Sequence, residues 1–216
     1  MNPDQLFRSY DLLVDKADRT FREMQQEYGE CVRCERHCSD CCHAVFGLFI
    51  IEAAYLKQNF DQLDKEKIKA AFLRCNEADR DLKRLEKMLL SYRGDPNMQA
   101  YTMARERIRC PLLDDNLDCI LHSCRPITCR VYGIPTKIQG KARVCGKSGF
   151  KKGMNYPVFD LDGVYRDLYD LSKELLENSG IIDPEKASLL VSVSKTISTP
   201  TDILINEIFA QPGEDG

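Results

Sequence analysis

The sequence contains no tryptophan, no apolar run approaching membrane-spanning length, and no excess of positive charge. Each absence removes a class of protein. A spanning helix needs ~18 or more consecutive apolar residues, and the chain offers nothing of that kind. The opening stretch MNPDQLFRSYDLLVDKADR is charged throughout and lacks the apolar centre of a secretory signal peptide. A formal net charge of −3 and a pI near 5.7 give no global attraction to nucleic acid or to an anionic membrane. Without tryptophan or a stripe of interleaved aromatic and basic residues, nucleic-acid binding is a weak reading. Internal repeats and low-complexity tracts are also missing, apart from a few residues after Gln211. The expectation is a cytoplasmic protein whose thiols stay reduced.

What the chain has in abundance is cysteine. Five cysteines and two histidines crowd the thirteen residues CVRCERHCSDCCH, from Cys31 to His43. A second group, Cys110, Cys119, Cys124, Cys129 and Cys145, begins about seventy residues downstream. At 216 residues, 43% of them hydrophobic and 30% charged, the chain can bury an ordinary core and needs no disulfide staples. The total of eleven cysteines is odd. Reduced thiols packed this densely read as metal ligands that meet in space.

The intervening sequence is helical in pattern. Leu6, Tyr10, Leu13, Ala17, Phe21, Met24 and Tyr28 fall on one face of a helix from Pro3 to about Tyr28. AVFGLFIIEAAYLKQNF predicts a short extended piece entering a helix near Ile51. Residues 64–93 carry a stripe of Ile68, Phe72, Cys75, Ala78, Leu82, Leu85, Leu89 and Tyr92, with Asp64 placed as N-cap. Cys75 on that stripe reads as a packing residue. Pro96 starts a further helix to about Arg109. CPLLDDNLDCIL and IPTKIQGKARVC predict two hairpins, the second turning at Gln139-Gly140, with one helical turn after Pro126 between them. Helices are expected again over Val158–Asn178, Pro184–Ile197 and Thr201–Phe209. The expected fold is mainly α, a single domain with three parts: an N-terminal helix (1–30), an irregular cysteine-rich metal-binding region with short β-hairpins (31–150, with long helices inserted at 64–109), and C-terminal helices (151–216).

Within the first group, Cys34, Cys38, Cys41 and Cys42 stand as C-x3-C-x2-C-C. Adjacent cysteines point opposite ways in extended chain, so a multi-iron cluster or two neighbouring metals would employ them more naturally than one ion. His37 and His43 flank the site as ligands or as hydrogen-bonding neighbours. Cys34, Cys38 and Cys41 also reproduce the spacing of radical S-adenosylmethionine enzymes. Asp40 stands where those enzymes carry an aromatic residue, and βα repeats are lacking, so the match reads as coincidence.

The ordered set Cys34, Cys38, Cys41, Cys42, Cys110-Pro-Leu-Leu, Cys119-Ile-Leu-His, Arg125-Pro126 and Cys129-Arg130 resembles the CxxCxxCC cysteine-cluster family of YkgJ type, described as a zinc- or iron-chelating domain. The resemblance covers roughly residues 31–150. It implies Cys34, Cys38, Cys41, Cys42, Cys110, Cys119 and Cys129 as metal ligands, with Cys145 as a further one. The gap from Cys34 to Cys38 is one residue longer than the family name implies, which leaves Cys31 competing with Cys34 as first ligand. Cys31 and Cys124 are extra to the pattern. A similar cluster in flagellin lysine N-methylase is an iron–sulfur centre, which favours 4Fe–4S over zinc without carrying methylase activity across.

Charge adds a separate observation. Thr136 to Phe159 contains no acid, while Lys137, Lys141, Arg143, Lys147, Lys151 and Lys152 are all basic. The lysines read as a solvated loop, and Arg125 as a cation supporting an anionic thiolate centre. The expected function is an iron–sulfur protein with a structural or electron-carrying role and a redox or protein partner. The alternatives are a zinc-binding structural protein and a cluster-dependent enzyme.

Overall fold

The computed structural model describes residues 3–200, 203 and 204. Eight α-helices and one antiparallel hairpin follow one another among those residues, a mainly α architecture as the periodicity predicts. None of these helices is long and apolar enough to cross a membrane.

Helix α1 (Pro3–Glu27) buries Leu6, Tyr10, Ala17 and Met24 along one face. Helix α2 (Ile50–Phe60) is covered nearly all round, and its Ile50, Ile51, Ala53, Leu56 and Phe60 form the centre of the core. Two polar residues are buried with it, Glu52 and Lys57, the latter paired with Asp61 one turn on. Helix α3 (Lys65–Ser91) buries Ala71, Cys75, Ala78 and Leu85. Cys75 packs in the main core, as its place on the stripe predicts. Phe72 and Tyr92, expected on the covered face, are exposed, because the covered strip of α3 runs through Ala71, Cys75, Ala78 and Leu85. Asp64 occupies the N-cap position without a capping hydrogen bond; its carboxylate faces Lys67 at 3.5 Å instead.

Three helix boundaries differ from the sequence expectation, each for the same reason: an extended pairing replaces helical hydrogen bonds. Helix α4 (Pro96–Arg105) stops four residues short of Arg109 because Arg107 bridges Ala44. Helix α5 (Ile127–Val131) is the turn expected after Pro126. Helix α6 (Leu161–Asn178) starts three residues late because Phe159 pairs with Thr136. The expected helix over Pro184–Ile197 divides into α7 (Pro184–Ser188) and α8 (Val193–Ser198), since Val191 exchanges two main-chain bonds with Leu48. Ser192 then caps α8 through Lys195 N. The helix expected over 201–209 lies outside the described residues, save Ile203 and Leu204.

Strands β1 (Thr136–Ile138) and β2 (Lys141–Arg143) pair in the register Thr136 with Arg143. Gln139 and Gly140 both take left-handed φ, 52° and 71°, which suits a two-residue hairpin loop. Asp162 at the start of α6 accepts from both turn amides and fixes the hairpin to the helix. The other expected hairpin is reduced to a single bridge, Leu113 with Cys119, because the turn at Asp114–Asp118 takes up most of its length.

Candidate metal centre

Segment 107–110 leaves the helix to lie antiparallel against 42–44. Ile108 N donates to His43 O at 3.1 Å and Cys110 N to Cys42 O at 2.7 Å. The two cysteine groups therefore meet through main-chain bonds as well as side chains. Cys41 and Cys42 sit on a 3₁₀ turn, Cys41–His43. Successive side chains there diverge by about 120° instead of the 180° of a strand, so both sulfurs face the same space.

That space has two compartments. Cys34, Cys38 and Cys145 line a cleft of about 460 Å³ together with His37, His122 and Arg130. Cys110 lines a smaller apolar chamber of about 70 Å³ with Val45, Ala78, Leu82 and Ile108. Cys41, Cys42, Cys119, Cys129 and Arg125 line both and form the wall between them. All eight cysteines singled out as ligands, with Arg125, thus surround one wall, although they come from residues 34 to 145. Cys31 and Cys124 line neither compartment, and all eleven cysteines are free thiols.

Three buried or half-buried polar groups hold the segments in place. Glu52 accepts from Ile127 N (3.0 Å) and Phe49 N (3.3 Å), fastening the start of α5, and so Cys129, to α2. Arg130 donates to Arg125 O at 2.9 Å and to Asp18 Oδ2 at 2.6 Å, fastening the same turn to α1. Asp40, 8% exposed, accepts from Arg107 Nη2 at 2.7 Å and from Cys145 Sγ at 3.2 Å, and faces Lys147 at 3.5 Å. It ties the first loop to the second in one contact. At Gly133 an added Cβ would stand 2.1 Å from Cys34 Sγ, so only glycine leaves room for that sulfur.

Toward Cys41 the thiols of Cys129 and Cys42 act as donors and pull it well below its ordinary value, with Arg125 acting in the same direction. The donors are pushed the opposite way: Cys42 through its bonds to Cys119 and Cys41, and Cys129 through its bond to Cys41 and its burial. A bond from Cys42 lowers Cys119. Burial raises Cys110 to about 12 and Cys34 to about 11. Main-chain N–H groups two residues on also aim at sulfur, from Leu112 to Cys110, Leu121 to Cys119 and Lys147 to Cys145. Such donors stabilise thiolates and tune any centre they hold. Burial and the charges of Arg125 and Arg130 lower His122, and Arg125 Nη1 stands against its ring, 2.5 Å from Nε2 and 2.9 Å from Nδ1.

As the side chains stand, no group of three or more His, Cys, Asp or Glu among the described residues has the converged arrangement of a formed metal site. The donor chemistry nonetheless fits a soft metal: eight thiols lining two adjoining compartments, N–H donors on the sulfurs and the cation of Arg125 between them. The two flanking histidines are engaged through Nδ1, His37 with Asn116 O and His43 with Ser39 O, both at 2.9 Å.

Sequence reasoning missed the roles of Asp40, Glu52 and Arg107. Glu52 had a signal, a lone acid in the otherwise apolar FGLFIIEAAYL. Asp40 and Arg107 had none, since their pairing spans 67 positions. Comparison of the chain with protein-family models, with curated proteins and with solved structures finds no match.

Proposed function

We propose that this chain is a cysteine-cluster metal protein of YkgJ type, cytoplasmic, holding an iron–sulfur centre of the 4Fe–4S class in a structural or electron-carrying role. The observation that carries this reading is the wall of Cys41, Cys42, Cys119 and Cys129, shared by the two compartments and formed by two cysteine groups that pair main chain to main chain. Eight candidate sulfurs are twice what either a structural zinc ion or one 4Fe–4S cluster takes, so the preference for iron–sulfur rests on the adjacent pair Cys41-Cys42 and on the resemblance to the cluster region of flagellin lysine N-methylase.

When bound, such a centre supplies one-electron chemistry or a cross-link between the segments that ligate it. The residues of the chain have separate tasks around it. Arg125 offsets the negative charge of the thiolates. The amides of Leu112, Leu121 and Lys147 donate to sulfur. Asp40 accepts a hydrogen bond from Cys145 Sγ and holds that side chain at the cleft. Ligation requires thiolates, so binding releases protons and strengthens as pH rises. The chamber lined by Val45, Ala78, Leu82 and Ile108 keeps one side of the wall dry.

Anaerobic purification followed by metal and acid-labile sulfide analysis tests the proposal. The expected result is brown protein with iron and sulfide in equal amounts, lost together from a Cys41→Ser, Cys129→Ser double variant. Colourless protein with stoichiometric zinc would replace the cluster with a zinc site. Metal-free protein that takes up neither iron with sulfide nor zinc would overturn the reading.

A further inference from the structure

Two buried side-chain polar atoms among the described residues have no hydrogen-bond partner, Arg109 Nε and Ser194 Oγ. Both residues line the same space, the apolar chamber of about 70 Å³. The Arg109 guanidinium is pinned through Nη2, which donates to Leu113 O at 3.1 Å, Asp114 O at 3.0 Å and Asp115 Oδ1 at 2.8 Å. Ser194 is 1% exposed and fixed on α8. A buried donor without an acceptor costs free energy, so the pair calls for an acceptor from outside the chain. No carboxylate lines the chamber, and Arg125 adds a second positive charge to its lining. The complement is a small anionic oxygen group.

The chamber does not end blindly. Val45, Leu82 and Ser192 line it and also line a groove of about 760 Å³. The groove runs between the two long helices of the insertion, with Leu85, Leu89 and Leu90 from α3 and Met103 from α4. Gln99 Nε2 donates to Leu89 O at 3.2 Å and ties the two helices together there. From Leu82 to Leu90 the helix rises roughly 12 Å, enough for a hydrocarbon chain of moderate length. Leu90 is 60% exposed, so one wall of the groove is apolar surface open to solvent. Apolar walls leading to a few fixed polar groups are the usual make-up of a small-molecule site.

We propose that chamber and groove together bind a medium-chain fatty acid, its carboxylate in the chamber on Arg109 and Ser194 and its tail along the groove of α3 and α4. The site stands apart from the metal reading, since neither donor is a thiol and no groove residue is a cysteine.

The test is calorimetric titration of the full-length protein with octanoate, butyrate and octanamide, metal content being measured in every sample. Octanoate should bind, and affinity should rise roughly fourfold per methylene from butyrate upward. Ser194→Ala should weaken octanoate at least ~10-fold, while the ligand-free variant melts no lower than wild type because the orphaned hydroxyl is gone. Leu90→Glu, at an exposed position, should weaken octanoate and leave butyrate unchanged. Absence of octanoate binding by wild type, or equal binding by Ser194→Ala, would overturn the site. Octanamide binding as tightly as octanoate would overturn the carboxylate assignment. Concentration-dependent dimers abolished by Leu90→Glu, with no octanoate binding, would give the groove to a second copy of the chain and overturn the proposal.

Discussion

Replacing Glu52 with glutamine probes how the fold fixes Cys129. The carboxyl is 3% exposed, and burial pushes its pKa from 4.5 up to about 7, against the bonds from Ile127 N, Phe49 N and Tyr10. A folded-state pKa above the unfolded one means that folding takes up a proton. The resulting stability is complete below pH 4.5 and is lost as pH rises through about 7. One decade in pKa corresponds to about 1.4 kcal/mol, so the whole effect is about 3 kcal/mol. Between pH 5.5 and 8.5 the same linkage gives a loss of about 2 kcal/mol, or about 4–8 °C in Tm for a chain of this size. The glutamine variant should lose this slope, while paying a pH-independent cost of about 1–2 kcal/mol for the amide group that turns a donor toward a main-chain N–H. The assay is thermal melting by circular dichroism at both pH values, thiols reduced and metal chelated, with the variant-minus-wild-type difference isolating residue 52. Parallel pH dependence in the two proteins would refute the reasoning.

Three further outcomes follow from the same contacts. Gly133→Ala should displace the sulfur of Cys34 and lower bound metal, with little change in secondary structure; undiminished metal content would show that Cys34 is dispensable. Asp40→Asn should cost about 1–3 kcal/mol by leaving the contacts of Arg107 and Cys145 incomplete. Burial works against ionisation of Asp40, but the bond from Cys145 and the charges of Arg107 and Lys147 outweigh it and hold the pKa below its ordinary value. Its contribution is therefore present above the ordinary carboxylate range and fades as pH falls through that lowered value, so wild type and variant should converge in denaturation midpoint in acid and differ most near neutrality. Cys75→Ala should cost about 1 kcal/mol of unfolding free energy through lost packing and leave metal content untouched; a loss of metal would make Cys75 a ligand, since it lies near enough to Cys110 to raise its pKa.

Local pattern carried the helices, because apolar spacing records which face is buried regardless of what covers it. Leu6 to Met24 on α1 and Cys75 to Leu85 on α3 are examples, and Gln139-Gly140 marked a turn in which both residues take left-handed φ. The cysteine clusters named candidate ligands in the same way, by density and order. Where three helices end was decided elsewhere in the chain. Arg107, Phe159 and Val191 each leave helical geometry for a main-chain partner far off in sequence, and no local propensity encodes such a partner. The arrangement of the candidate centre is likewise tertiary. Which sulfurs share a wall, and that Asp40, Glu52 and Gly133 hold them there, depends on contacts between segments 67 to 105 residues apart, such as Asp40 with Arg107 and with Cys145. Spacing reports on distances along the chain, and a centre of this kind is built from distances across it.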